Sequence, residues 1–257
     1  MTAKQERLEQ LLETLRKDGS ASIAVLAQRF DVTTMTIRRD LAELSEDGLV
    51  RVYHGVAVPE KMPEAFSHDY LLTQAENIHV REKEDIASAA VSIIEPGDIL
   101  ILDAGSTTAL LASMIPKNIP LKIICFSLNV FMQCRGRTGS DVILAGGLYH
   151  ETSRVFESPE NVELIKRYRA TKAFISASGI REDLGVTCSN TFEITMKQAA
   201  LRSSLNKILI SDSSKFGKIT SCFFAGLDEF DTVITDRGIP ASSAGWLADR
   251  SIRLITA

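Results

Sequence analysis

Leu8, Leu11, Leu12 and Leu15 recur at the spacing of a helix with one apolar face, and Gly19 follows as a stop. The same spacing returns in Ile23, Leu26, Ala27 and Phe30, with Ser20 and Ser22 placed to cap the start. It returns again in Ile37, Leu41 and Leu44, between Thr33 as N-cap and Gly48 as terminator. Residues 49–58, LVRVYHGVAV, then alternate apolar and polar positions about a His-Gly pair, the pattern of a small hairpin. Three short helices and a hairpin within residues 1–58 predict a winged helix-turn-helix.

Residues 59–75 carry two prolines and weak periodicity, which predicts a linker with a short helix at most. Beyond them the pattern changes. A helical stretch, REKEDIASAAVSII, leads into the strand-like runs ILILD, LKIICF, DVILAGG, KAFISAS, NKILISD, DTVITD and SIRLIT, with helical stretches between them. Continuous apolar runs of this kind mark strands buried on both faces of a mostly parallel sheet, so residues 76–257 are expected to form an α/β, Rossmann-like domain.

Composition narrows the function classes. The 257 residues are 45% hydrophobic and 24% charged, ordinary for a soluble protein, and no apolar run approaches the roughly 20 residues of a membrane span. The N-terminus is charged from Lys4 onward and lacks a secretory h-region, so a cytoplasmic protein is expected. Cys125, Cys134, Cys188 and Cys222 form no CxxC pair, and His54, His68, His79 and His150 share no ligand spacing, so neither a metal nor a cofactor is expected. Net charge is −4, and residues 1–60 hold eight Lys/Arg against ten Asp/Glu, so a nucleic-acid partner must be argued from local placement.

On the third helix, Met35 and Arg39 point almost directly away from the Ile37 stripe, with Thr36 and Arg38 on its flanks. A face of Thr, Met and Arg at a helix N-terminus suits the major groove, where Arg forks onto guanine or grips phosphate and apolar groups meet a thymine methyl. The amides of Thr33 and Thr34 add a phosphate contact. The alternative is a solvated polar face on which Arg38 and Arg39 pair with Asp40 and Glu43.

In the second domain, residues 99–111, ILILDAGSTTALL, run a strand ending at Asp103 into a small hydroxyl-rich turn and out into a helix. Gly105 admits close backbone approach, and Ser106, Thr107 and Thr108 offer amides and hydroxyls to phosphate oxygens. The GK[ST] ending of a Walker loop is absent. The alternative is a capped helix start without a ligand. Other strand ends carry similar residues: Ser127 and Asn129, Gly146 and Gly147, and Lys215. Asn190, Glu193 and Lys197 lie between two of them, the last two also spaced as a simple i, i+4 ion pair. The set suits a small polyhydroxy phosphate.

The segment VTTMTIRRDLAELSEDGLVRVYHG resembles the DeoR/GlpR family of bacterial transcriptional regulators, in which a TIRRDL recognition helix precedes a wing ending His-Gly-Gly. The resemblance implies a DNA role for Thr33, Thr34, Met35, Thr36, Arg38, Arg39 and His54. Val56 replaces the second glycine, which is expected to stiffen or redirect the wing tip. The second half also resembles the family, whose C-terminal domain is similar to ribose-5-phosphate isomerases and senses a phosphorylated sugar. CFSLNVF, SASGI, GVTCSN and DSSKFGKI resemble most the members answering to deoxyribose 5-phosphate, which makes that the implied effector.

Aldose–ketose isomerisation needs a tuned base beside a carbonyl. In the isomerases that this domain resembles, an acidic cluster follows the corresponding strand, whereas here the run is ISASGIREDLG, with Ser176 and Ser178 at the strand end and Glu182 and Asp183 in turn positions. No catalytic residue is therefore expected. The reading is a repressor of a carbohydrate or deoxyribonucleoside catabolic operon, binding double-stranded operator DNA as a homo-oligomer, a dimer or higher, and relieved by its sugar phosphate. An isomerase with an appended DNA-binding domain is the alternative.

Overall fold

Ser22 and Thr33 start the second and third helices, each hydroxyl accepting the amide three residues on at 3.2 Å. The computed structural model describes residues 3–18, 20–47, 49–53, 55–59 and 71–257, and the chain divides into two compact units, Met1–His68 and Asp69–Ala257. The first unit contains α1 (Ala3–Asp18), β1 (Ala21–Ser22), α2 (Ile23–Arg29), α3 (Thr34–Glu46), β2 (Val50–Tyr53) and β3 (Val56–Pro59). Leu11, Leu15, Leu26, Ile37 and Leu41 form its core, as their spacing predicts.

β2 and β3 pair antiparallel with Tyr53 opposite Val56, and Gly55, just before β3, takes φ +86°. A side chain there is strained by backbone conformation alone. Val56 is a strand residue, paired with Tyr53 on one side and with Ser22 of β1 on the other. Its place is therefore in the sheet, where a β-branched residue fits. Gly19, Gly48 and His54, expected as two helix stops and a wing contact, lie outside the described residues, as do residues 60–70 of the expected linker.

The second unit runs α4 (Leu72–Ala75), α5 (Val80–Val91), β4 (Ile99–Leu102), α6 (Ser106–Met114), β5 (Lys122–Cys125), α7 (Leu128–Cys134), β6 (Asp141–Leu144), β7 (Leu148–His150), β8 (Val155–Glu157) and α8 (Pro159–Lys166). It continues β9 (Ala170–Ser176), β10 (Gly179–Arg181), β11 (Gly185–Cys188), α9 (Thr191–Arg202), β12 (Ser204–Ile210), β13 (Cys222–Ala225), β14 (Thr232–Thr235), α10 (Ala241–Asp249) and β15 (Arg253–Thr256). The seven apolar runs read from the sequence become one parallel sheet in the order β15-β14-β12-β9-β4-β5-β6.

One face of this sheet packs Ile86 of α5, Leu111 of α6 and Val130 of α7 against Leu100, Leu102 and Ile123. The other packs Ile165 of α8, Met196 of α9 and Leu247 of α10 against Ile101, Ile175 and Leu209. Chain order reverses between β4 and β9: β5 and β6 follow on one side, β12, β14 and β15 on the other. The carboxyl ends of β4 and β9 thus flank the topological switch point, where open α/β sheets place their ligands. Two further pairings have no counterpart in the sequence reading, an antiparallel sheet β10-β11-β13 and a hairpin β7-β8. Among the described residues no helix is long and apolar enough to cross a membrane.

Candidate functional site

α3 buries Ile37, Leu41 and Leu44 and turns Thr34, Met35, Arg38 and Arg39 outward, Met35 at 62% exposure. Thr36 is half-buried. The acids of this helix are taken by α1: Asp40 receives Arg7 at 2.6 Å, and Glu43 receives Lys4 at 2.5 Å. The pairing of Arg38 and Arg39 with Asp40 and Glu43 is thereby excluded, and among the described residues neither arginine has an acid partner. Their guanidinium groups stand free on the exposed face. The Thr33 hydroxyl is engaged with Thr36, at 2.9 Å from its Oγ1, which leaves the Thr33 and Thr34 amides as the groups able to meet a phosphate.

In the second unit, β4 ends at Leu102, and the chain turns through Asp103, Ala104 and Gly105 into α6. Gly105 has φ +123°, and a Cβ there would stand 3.2 Å from Ser176 Oγ. Both the conformation and the neighbour favour glycine. As N-cap it contributes no side chain, so the first-turn amides of Ser106, Thr107 and Thr108 have no capping acceptor. Those three residues are buried, and the Thr108 hydroxyl donates to the Ala104 carbonyl at 3.3 Å.

Asp103 is fully buried. Its Oδ2 accepts the Ser176 amide and hydroxyl at 2.8 Å each and the Lys197 ammonium at 2.5 Å, while Oδ1 has no partner among the described residues. Lys197 also donates to the Ser176 carbonyl at 3.1 Å and lies 3.5 Å from Glu193. The Glu193–Lys197 pair is therefore not an isolated surface i, i+4 contact; it is one edge of a buried cluster spanning β4, β9 and α9. Burial by itself lowers the Lys197 pKa, but Asp103 and Glu193 outweigh it and hold the ammonium above the usual lysine range. Burial pushes the Glu193 carboxyl up; Lys197 and the Asn190 amide, donating at 2.7 Å, oppose it. With two acids and one base, the cluster does not offer the free cation a phosphate would seek.

α7 closes the other wall. Asn129 donates to the Gly105 carbonyl at 3.1 Å, and its Oδ1 and the Ser127 hydroxyl are buried without partners. Buried polar atoms are almost always bonded, so Asp103 Oδ1, Asn129 Oδ1 and Ser127 Oγ, without partners among the described residues, leave hydrogen-bonding capacity for a ligand or water. Lys215 lies beyond β12, in a single 3₁₀ turn capped by Asp212. Gly147 has a packing reason to be glycine: a Cβ would stand 2.3 Å from the Glu157 carbonyl oxygen of β8. Ser176 is the residue sequence reasoning missed. Noted in the sequence only as standing where a catalytic base would be, it joins Asp103, Ala104 and Lys197.

The four cysteines are free and buried, and burial pushes the Cys188 thiol up to about 12. Such thiols are inert. Among the described residues no cluster of His, Cys, Asp and Glu has metal-binding geometry.

A family model for the DeoR-like helix-turn-helix domain matches residues 7–62, and one for the DeoR C terminal sensor domain matches residues 78–237. The chain is 32% identical to the deoxyribose operon repressor of Escherichia coli (strain K12) over 235 residues, 91% of each protein. It is 33% identical to the lactose phosphotransferase system repressor of Lactococcus lactis subsp. lactis over 240 residues, 92% of each. Among solved structures, a ribose 5-phosphate isomerase A from Methanocaldococcus jannaschii covers 52% of this chain and 53% of its own, at 17% identity and a TM-score of 0.39.

Proposed function

This chain belongs to the DeoR family of transcriptional regulators, and on that premise we propose that its sensor unit binds a phosphorylated sugar at the β4–β9 switch point and thereby releases operator DNA. The protein is a DNA-binding repressor of sugar catabolism. Deoxyribose 5-phosphate is the leading effector because CFSLNVF, SASGI, GVTCSN and DSSKFGKI resemble most the members answering to it, and a deoxyribose operon repressor is among the relatives matched along most of the chain.

The observation that carries this reading is the set of three orphaned polar atoms beside the uncapped first turn of α6. The phosphate sits on the amides of Ser106, Thr107 and Thr108 and the hydroxyls of Ser106 and Thr107, where the helix dipole favours an anion; the Thr108 hydroxyl is held by the Ala104 carbonyl. Sugar hydroxyls donate to Asp103 Oδ1 and Asn129 Oδ1. Lys197, spent on Asp103, orients that carboxylate and does not touch the phosphate. On the DNA side, Met35, Arg38 and Arg39 enter the major groove, and the Thr33 and Thr34 amides hold a phosphate. The effector acts only by binding the DNA-incompetent arrangement more tightly than the competent one.

The isomerase alternative gains one observation: Glu193, with its raised pKa, supplies a buried carboxylate that β9 itself lacks. The repressor reading keeps precedence because the matched family models cover both units. A thermal-shift screen of sugar phosphates on the full chain tests the proposal, since a ligand stabilises the folded state it binds. Deoxyribose 5-phosphate is expected to raise Tm above other pentose phosphates; an unchanged Tm removes it as effector.

A further inference from the structure

The β7-β8 hairpin touches both walls of the crevice and also the point at which the chain arrives from the DNA-binding unit. On one side, Leu128, the first residue of α7, donates its amide to the Arg154 carbonyl at 2.8 Å, and the Phe156 amide donates to the Phe126 carbonyl at 2.8 Å. Ser127 itself bridges to Val155. The hairpin is thus bonded through its backbone to the segment carrying the orphaned Ser127 hydroxyl and Asn129.

From its outer strand, His150 stacks on Phe192 with ring centroids 3.6 Å apart and bonds Glu157 at 2.8 Å. Phe192 stands in the first turn of α9, next to Glu193. At the hairpin's tip, the Thr152 carbonyl accepts the amide of Leu72, the first residue of α4, at 2.8 Å. Arg154 pairs with Glu76 at 3.2 Å. Arg154 also has φ +55°, a conformation rare for a residue with a side chain. It is held there by Leu128 on its carbonyl and Glu76 on its guanidinium. Just beyond α4, buried Lys83 donates to the carbonyls of Ala75 and Ile78, so this end of the chain is itself fixed to α5.

We propose that the β7-β8 hairpin is the coupling element of this regulator, transmitting a shift of α7 and α9 on effector binding to Leu72–Glu76 and so to the chain leading to the DNA-binding unit. The inference rests on the sensor reading above for the identity of the pocket. Coupling between sites requires an element that both ends bias, and here one four-residue tip is bonded to each.

The test cuts the tip at its linker side and reads the pocket side. In the full chain without effector, Glu76→Ala is expected to speed amide hydrogen exchange about two- to fivefold at Leu72 and also at Leu128, with β14 amides unchanged. The charge-swapped double variant Glu76→Arg/Arg154→Glu is expected to return both towards wild type. Faster exchange at Leu72 alone overturns the proposal.

A second arm uses duplex DNA selected by the protein from a randomised pool. With deoxyribose 5-phosphate, Glu76→Ala should lose severalfold of the wild-type ratio between effector-free and effector-bound DNA affinity, and an unchanged ratio counts against the hairpin. If the wild type keeps its DNA at every concentration of this sugar phosphate, the effector assignment fails. The exchange comparison, which needs no effector, then decides the hairpin.

Discussion

Lys197 and Asp103, 94 residues apart in sequence, meet at 2.5 Å with side chains 1% and 0% exposed. Removing one partner of a buried ion pair leaves an uncompensated charge, at about 3–5 kcal/mol. Lys197→Met is therefore expected to lower unfolding stability by that order in urea titrations, and Asp103→Leu/Lys197→Met to recover part of the loss. A single-variant cost below about 1 kcal/mol would mean that the pair does not hold β4 to α9.

Glu193 gives a pH dependence of known sign. Its folded-state pKa is raised above the ordinary value of 4.5 by burial. Below 4.5 folded and unfolded chains are both protonated at this site and its contribution is intact; as pH rises through 4.5 towards the folded pKa, the unfolded chain ionises first and stability falls. Glu193→Gln lacks this loss. The stability of the variant relative to wild type should therefore climb with pH above 4.5, and equal slopes would contradict the burial account.

What could be read from the sequence follows from how local each signal is. The seven sheet strands were readable because burial on both faces leaves unbroken apolar runs such as ILIL and KIIC. The hairpin β7-β8 and the sheet β10-β11-β13 were not, since segments such as LYH and GIR are too short to show a period. The turn at Gly105 was visible as composition; its partner Ser176 was not, because the pairing is made across neighbouring strands. Spacing favoured Glu193 as the partner of Lys197, whereas the fold gives it Asp103 first. On α3 the period separated the buried stripe from the exposed face, but only the contacts with α1 reveal that Asp40 and Glu43 are taken by Arg7 and Lys4, leaving Arg38 and Arg39 without an acid partner among the described residues.

Arg39 is exposed and points away from the α3 core. Arg39→Ala is expected to weaken specific DNA binding by about 1–3 kcal/mol if it reads a base, with stability unchanged. Anisotropy with protein-selected duplexes measures this. Undiminished affinity would remove Arg39 from the interface.

The raised Glu193 pKa makes catalysis worth a direct measurement. Purified protein is expected to leave ribose 5-phosphate unconverted in a coupled ketose assay over hours. Turnover abolished by Glu193→Gln would establish the isomerase reading instead.

On the proposed function, the turn at Gly105–Thr108 holds the effector phosphate and its occupation releases DNA. Ser106 is in the first turn of α6, buried beside uncapped amides, so Ser106→Asp sets a carboxylate where the phosphate would sit. The decisive measurement is DNA affinity of wild type and Ser106→Asp across a deoxyribose 5-phosphate titration. Equal affinity without the sugar, with release of the wild type and retention by the variant, is the predicted result; a variant released at the wild-type concentration would contradict the account.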